Sequence, residues 1–168
     1  MKEVAARKMS ELNFVTLTDD ACTSEVIAMM RALYIEDAPA FAVDHRRFPL
    51  TIEFLLAEPS RGSVIVFAEG TALCGYAILI PYWSNEFGGT LLCVDELFVI
   101  PEARNREIGH QFFEFLARTR PFDAIAIALE VSPGNLRAQR LYESIGFRPR
   151  RNATLIRRLP ERSAADGP

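Results

Sequence analysis

Two stretches of this chain carry residues whose types and spacing suit chemistry. The first is Leu97-Phe98-Val99-Ile100-Pro101, a β-prone run ended by proline, followed by Glu102 to Gly109 and a helical pattern. A strand-turn-helix junction collects backbone N–H groups that have no intrahelical acceptor, together with the positive end of the helix dipole. Arg104 and Arg106 add charge beside those donors, so the junction suits a pyrophosphate. Read alone, the same junction is equally a solvated loop with two arginines. The second stretch is NLRAQRLYESIGF, in which Ala138 and Tyr142 fall one helical turn apart on one face. A phenol can then project where a small residue leaves room, although an isolated tyrosine there is more often a core aromatic. Upstream, Asp95 and Glu96 are neighbours on the strand, so they point to opposite faces and only one faces a cleft, unless a bulge changes the parity.

The elements that must position these groups follow from periodicity. Asn13 to Thr18 reads as a short first strand, and Val26, Met29, Met30 and Leu33 mark one face of a helix over Cys22 to Tyr34. Pro49 opens a second helix, with Ile52, Leu55 and Leu56, stopped by Pro59. SVIVFAEG and ALCGYAILIPYW form an antiparallel hairpin about Gly70-Thr71, and a third long strand covers 90 to 100. A helix over 106 to 119 with Ile108, Phe112, Phe115 and Leu116, a strand over 124 to 131, a helix capped by Asn135 and stopped by Gly146, and a last strand from Ala153 to Leu159 complete the pattern. The order β-α-α-β-β-β-α-β-α-β predicts an α/β (α+β) fold with a mixed sheet and helices on its faces. Residues 1–10 read as a flexible leader, 11–160 as a single domain and 161–168 as a disordered tail.

Composition narrows the function classes. With 168 residues, 49% hydrophobic and 24% charged, the chain suits one soluble domain. A formal charge of −3 and a pI near 5.5 argue against a nucleic-acid binder and favour neutral or cationic small molecules. Cys22, Cys74 and Cys93 form no C-x-x-C pair and only His45 and His110 offer imidazole, so neither a disulfide framework nor a metal site is expected. Cys93 reads as a buried small hydrophobe, and His45 and His110 as loop or surface residues. No run of about eighteen apolar residues occurs, and the charged N-terminal stretch lacks a secretory pattern, so a cytoplasmic chain with no membrane partner is expected. Neither G-x-G-x-x-G nor a P-loop lysine motif is present.

The two stretches together resemble the GNAT superfamily of acyl-CoA-dependent N-acetyltransferases. Its cofactor motif, R/Q-x-x-G-x-G/A after a strand and proline, corresponds to Arg104-Asn105-Arg106-Glu107-Ile108-Gly109, with Glu107 in place of the first glycine. Its N-x-x-A-x-x-x-Y-x-x-x-G-F signature matches at Asn135, Ala138, Tyr142, Gly146 and Phe147, and the matched motifs span residues 93–147. The resemblance implies a mostly antiparallel twisted sheet whose strands 90–100 and 124–131 splay apart. It implies acetyl-CoA as cosubstrate, its pantetheine arm pairing along Leu97, Phe98 and Val99. The pyrophosphate would lie over residues 104 to 110, hence Arg104, Asn105, Arg106, Glu107, Ile108, Gly109 and His110. Asn135, Ala138 and Tyr142 would stand near the thioester. An acceptor amine then attacks directly, through a tetrahedral intermediate and without an acyl-enzyme. Tyr142 is the implied acid, and Glu96, with Asp95 close behind, the implied base or amine-binding carboxylate.

The acceptor site is expected in the loop after the first helix and around Trp83 to Gly88, where Tyr34, Glu36, Asp37, Tyr82 and Trp83 suit a small cationic amine. The arginines at 148–151 and 157–158 read mainly as a solvated face. A homodimer is expected from the resemblance. The rival readings are a non-catalytic acyl-CoA-binding sensor or structural module of the same fold, which Glu107 favours, and an interaction protein without cofactor binding.

Overall fold

Two β-prone apolar runs and one tight turn build the centre of the molecule. Gly70, at φ 63°, and Thr71 form a two-residue turn that joins β2 (Ser63–Glu69) to β3 (Ala72–Ser84). A second turn closed by Gly88, at φ 69°, leads to β4 (Gly89–Val99), which pairs antiparallel with β3. The computed structural model describes residues 11–39, 41–152 and 154–159. Around the hairpins it places β1 (Leu12–Thr16), α1 (Thr23–Glu36), α2 (Phe48–Ala57), α3 (Ile108–Thr119), β5 (Ala126–Leu129) and α4 (Leu136–Ser144). The sheet order is β1-β2-β3-β4-β5, antiparallel except for the parallel pair β4 and β5.

Each face of the sheet is covered by the helices whose apolar stripe the sequence displays. Val26, Met29 and Met30 of α1 and Ile52 and Leu55 of α2 pack on Tyr76, Ile78 and Phe98. On the other face Ile108, Phe112 and Leu116 of α3 pack on Phe67, Leu79, Leu92 and Val94. Phe14, Phe67 and Phe112 meet there with ring centroids 4.8 to 5.6 Å apart, the offset and edge-on spacing that aromatic quadrupoles prefer. Phe113, outside the expected stripe, is buried more deeply than Phe115 because Tyr142 of α4 and Phe147 just beyond it pack against its ring.

Most expected elements form within a few residues of their expected limits. The exception is the last strand. Residues 154–159 adopt no strand, and Leu155 is 92% exposed. Leu155-Ile156 followed by Arg157-Arg158 lacks the alternation that would bury one face, and Arg158 instead donates to the Ala42 carbonyl at 2.9 Å and lies over the Phe41 ring. The expected leader and tail, with Ala153, lie outside the described residues.

Two details of the sheet shape the site. Pairing of β4 with β5 runs only from Leu91–Ala126 to Val94–Leu129, while β4 stays paired with β3 through Val99. The strands therefore part beyond Val94. In the same stretch, Ile78 opposes Glu96 but Leu79 opposes Val94, which leaves Asp95 as the extra residue of a β-bulge.

Candidate active site

Where β4 and β5 part, a cavity of about 530 Å³ opens between β4, the N-terminal turn of α3, the N-terminal half of α4 and the end of α1. Leu97, Phe98 and Val99 form one wall, and Asn135, Ala138 and Tyr142 the opposite one. Arg104, Asn105, Glu107, Ile108, Gly109 and His110 form its end. Of the expected cofactor-contacting residues only Arg106 is turned away, its guanidinium bonded to the Glu69 carboxylate on β2. The helix α4 has no fully buried residue because its apolar face, including Tyr142 and Leu141, overlies this open space.

The end of the cavity is built for an anion. The first turn of α3 presents the N–H groups of Ile108, Gly109 and His110, which have no intrahelical acceptor. Arg104 approaches from the side, over the Phe98 ring at 5.4 Å. Its Nε donates to the Val99 carbonyl at 2.8 Å and its Nη2 to both oxygens of Glu36 at 2.9 and 2.7 Å. Gly109 lies against α4: a Cβ there would stand 2.6 Å from a terminal methyl of Leu141, so a larger residue needs that side chain to shift.

Glu107 shows what the missing glycine does. It sits at the N-cap of α3 with φ 58°, ψ 16°, and Asn105 also has positive φ at 62°. The left-handed conformation costs a non-glycine residue about 1–2 kcal/mol. The side chain of Glu107 is exposed, while its carbonyl accepts from Gln111 N–H at 3.0 Å in the first helical bond. Glu107→Gly is expected to stabilise the fold by about 0.5–1 kcal/mol, the relief of strain less the entropy that glycine adds to the unfolded chain. Thermal melts should then show a rise of about 2 °C, and a lower Tm speaks against the strain.

Tyr142 is half-buried, edge-on to Phe113 at 5.7 Å and near Phe147 at 5.8 Å. Burial, with a smaller contribution from the charge of Asp37, pushes its phenol up to about 12. It is therefore a proton donor at any physiological pH. Asn135 caps α4, its Oδ1 accepting from Ala138 N–H at 3.1 Å, and Gly146 ends the helix at φ 98°.

The bulge alters the parity of the acidic pair, and both Asp95 and Glu96 stand outside the lining of the cavity. Leu92 and Val94 share the α3 face with Leu97 and Val99, so two residues, Asp95 and Glu96, occupy the space that one fills in a regular strand. Glu96 accepts from Tyr34 Oη at 2.8 Å and from Tyr76 Oη at 2.6 Å, one phenol on each carboxylate oxygen. Its pKa is raised chiefly by burial, against which the two hydrogen bonds pull down, with Asp95 pushing it further up. Tyr34 and Tyr76 are both raised, first by burial and then by the charge of Glu96. Asp95 is surface-accessible yet recessed enough that desolvation, followed by the charge of Glu130, raises its pKa. Cys93 alongside is only partly buried, with its thiol pushed up by the same surroundings, which is opposite to a nucleophile's need.

Among the expected acceptor residues, Tyr34 contacts Glu96, while Glu36 and Asp37 line the cavity. Asp37 accepts from the Ser132 hydroxyl at 2.6 Å, which links α1 to the segment after β5. Tyr82 and Trp83 stand apart. They are exposed at the far end of β3, paired with Leu91 and Thr90. Sequence reasoning missed Tyr76 and Ser132. Tyr76 lies in an unbroken apolar strand run and carries no signal separating it from core, and Ser132 is one residue in a loop.

A strand pair that parts over a helix N-terminus, with arginine at one end and a protonated phenol on the opposite wall, suits an extended anionic carrier with a reactive end. The acetyltransferase (GNAT) family profile matches residues 27–147, well over half of the chain, and the chain belongs to that family. No curated protein matches the sequence. Among solved structures, a possible acetyltransferase from Clostridium difficile 630 superposes with a TM-score of 0.76 at 15% identity, over 89% of this chain and 99% of that one. The aminoglycoside N-acetyltransferase AAC(6')-Iy, solved with a bisubstrate analogue, gives 0.72 at 15% identity over 90% and 100% of the two chains. The ribosomal-protein-alanine N-acetyltransferase of Brucella melitensis biovar Abortus 2308 gives 0.67 at 16% identity over 88% and 99%. At these identities the likeness is one of fold, and the acceptors named for the last two differ in chemical class. Among the described residues, no helix is long and apolar enough to cross a membrane.

Proposed function

We propose that the protein transfers an acetyl group from acetyl-CoA to a primary amine of a small cationic acceptor. The observation that carries this reading is the single cavity into which Leu97–Val99, Arg104, the first turn of α3, Asn135, Ala138 and Tyr142 converge. Its volume, its unpaired strand edge on β4 and the helix N-terminus with Arg104 at its end fit a carrier that combines an amide-bearing arm with a pyrophosphate. Bound there, acetyl-CoA supplies an activated acyl group as a thioester.

The chain's own residues then divide the work. Tyr142 holds a proton for the departing sulfur, and Asn135 and Ala138 keep the wall beside it narrow. Asp95, reaching solvent, receives the cationic amine. Glu96, half-buried and anchored by Tyr34 and Tyr76, takes the ammonium proton, directly or through water. Two adjacent carboxylates thus acquire two roles from their surroundings. Tyr82 and Trp83 belong to this reading only as an outer wall for a longer acceptor. Reduced, unpaired Cys22, Cys74 and Cys93 fit action in the cytoplasm, and we include a homodimer in the proposal.

Glu107 favours a second reading, an acyl-CoA-binding module without turnover, because it puts a carboxylate at the mouth of the anion site. Incubating the protein with acetyl-CoA and a panel of diamines, amino sugars, amino acids and lysine peptides, and following free thiol, separates the two. Release of CoA with small cationic amines is the expected result. Binding of acetyl-CoA without release across the panel selects the second reading.

A further inference from the structure

Arg104 is already satisfied. Its Nε is held by the Val99 carbonyl, part of the β4 edge along which an extended arm would pair, and its Nη2 is gripped by both oxygens of Glu36. Glu36 is the last residue of α1, so the end of that helix is tied to the β4 wall. The next residue, Asp37, is tied to the other wall through Ser132, which follows β5. The first bond joins two residues that line the cavity, and the second ties a third lining residue, Asp37, to the segment after β5.

We propose that Glu36 is a built-in stand-in for the pyrophosphate, a latch that keeps Arg104 folded across the cavity and the end of α1 closed until the carrier arrives. The inference rests on the cofactor reading above. A pyrophosphate offers Arg104 the same bidentate geometry with more charge, so it displaces the carboxylate. The pair is open enough to yield: the Arg104 side chain is 25% exposed and that of Glu36 44%. Once released, Glu36 carries an uncompensated charge on the helix end that leads into the loop before α2, where a cationic acceptor then finds it.

Two titrations and one exchange measurement test the latch. Glu36→Gln is expected to bind acetyl-CoA about fivefold more tightly, the factor a half-exposed ion pair can withhold. Acetyl-pantetheine, which lacks the pyrophosphate, should bind both proteins alike. Glu102→Gln, which removes the same charge nearby without touching Arg104, should leave acetyl-CoA affinity almost unchanged. The Asp37 amide, bonded to the Leu33 carbonyl at 2.8 Å, should exchange faster on adding acetyl-CoA to the native protein and should already be fast in free Glu36→Gln. If the native protein binds acetyl-CoA but Glu36→Gln binds no tighter, or Asp37 exchange does not respond, the latch is overturned and the cofactor reading stands. Binding by neither protein overturns both.

Discussion

Tyr142→Phe is expected to lower kcat by about 100-fold, the lower end of what a positioned general acid contributes, while leaving acetyl-CoA affinity nearly unchanged. That loss corresponds to about 2.7 kcal/mol of transition-state stabilisation, and all of it resides in one oxygen. The ring contacts with Phe113 and Phe147 survive the substitution, so the fold and the cavity wall are retained. Because burial holds the phenol at about 12, the proton stays in place throughout the practical pH range. The rate of the native enzyme should accordingly show no alkaline loss attributable to Tyr142 below about pH 11. A variant that keeps full kcat when the chemical step is rate-limiting removes Tyr142 from the acid role.

The second large effect concerns the acidic pair. Glu96→Gln is expected to lower kcat by about 100-fold and to abolish the acidic limb of the pH profile. In the native enzyme the base must be ionised, so activity falls as pH drops through a carboxylate pKa that burial has raised above its ordinary value. Asp95→Asn acts differently. It removes the neighbouring negative charge that raises Glu96, so the acidic limb moves to lower pH, and it weakens the KM for a cationic acceptor by about tenfold, as expected for loss of one charge-assisted contact. If Asp95→Asn instead abolishes the limb and Glu96→Gln only shifts it, the two roles are exchanged.

Why the sequence was informative about some of this and silent on the rest has a physical explanation. Apolar periodicity located α1, α2 and α3 because each buries one face, and unbroken β-prone apolar runs located β2 and β3 because helices cover both faces of the sheet. The cavity residues were legible through Arg104, Gly109, Asn135, Ala138 and Tyr142 because a helix N-terminus, a close helix approach and a cap each restrict residue type. The bulge at Asp95 was not legible. It depends on the register between β3 and β4, a pairing across the sheet that no local pattern encodes. The same holds for the partners of Arg104 and Glu96, since Glu36 lies 68 residues from Arg104, and Tyr34 lies 62 and Tyr76 20 residues from Glu96. Residues 154–159 misled in the opposite direction, having β-prone side chains but no alternation.

The central claim is that the splayed end of the sheet binds acetyl-CoA, and isothermal titration of the native protein beside Arg104→Ala tests it most directly. Micromolar binding, about −8 kcal/mol, is expected for the native protein, weakened about 10- to 100-fold in Arg104→Ala through loss of charge-assisted bonds. Absence of any heat with the native protein, in a folded sample, contradicts the claim and the enzymatic reading built on it.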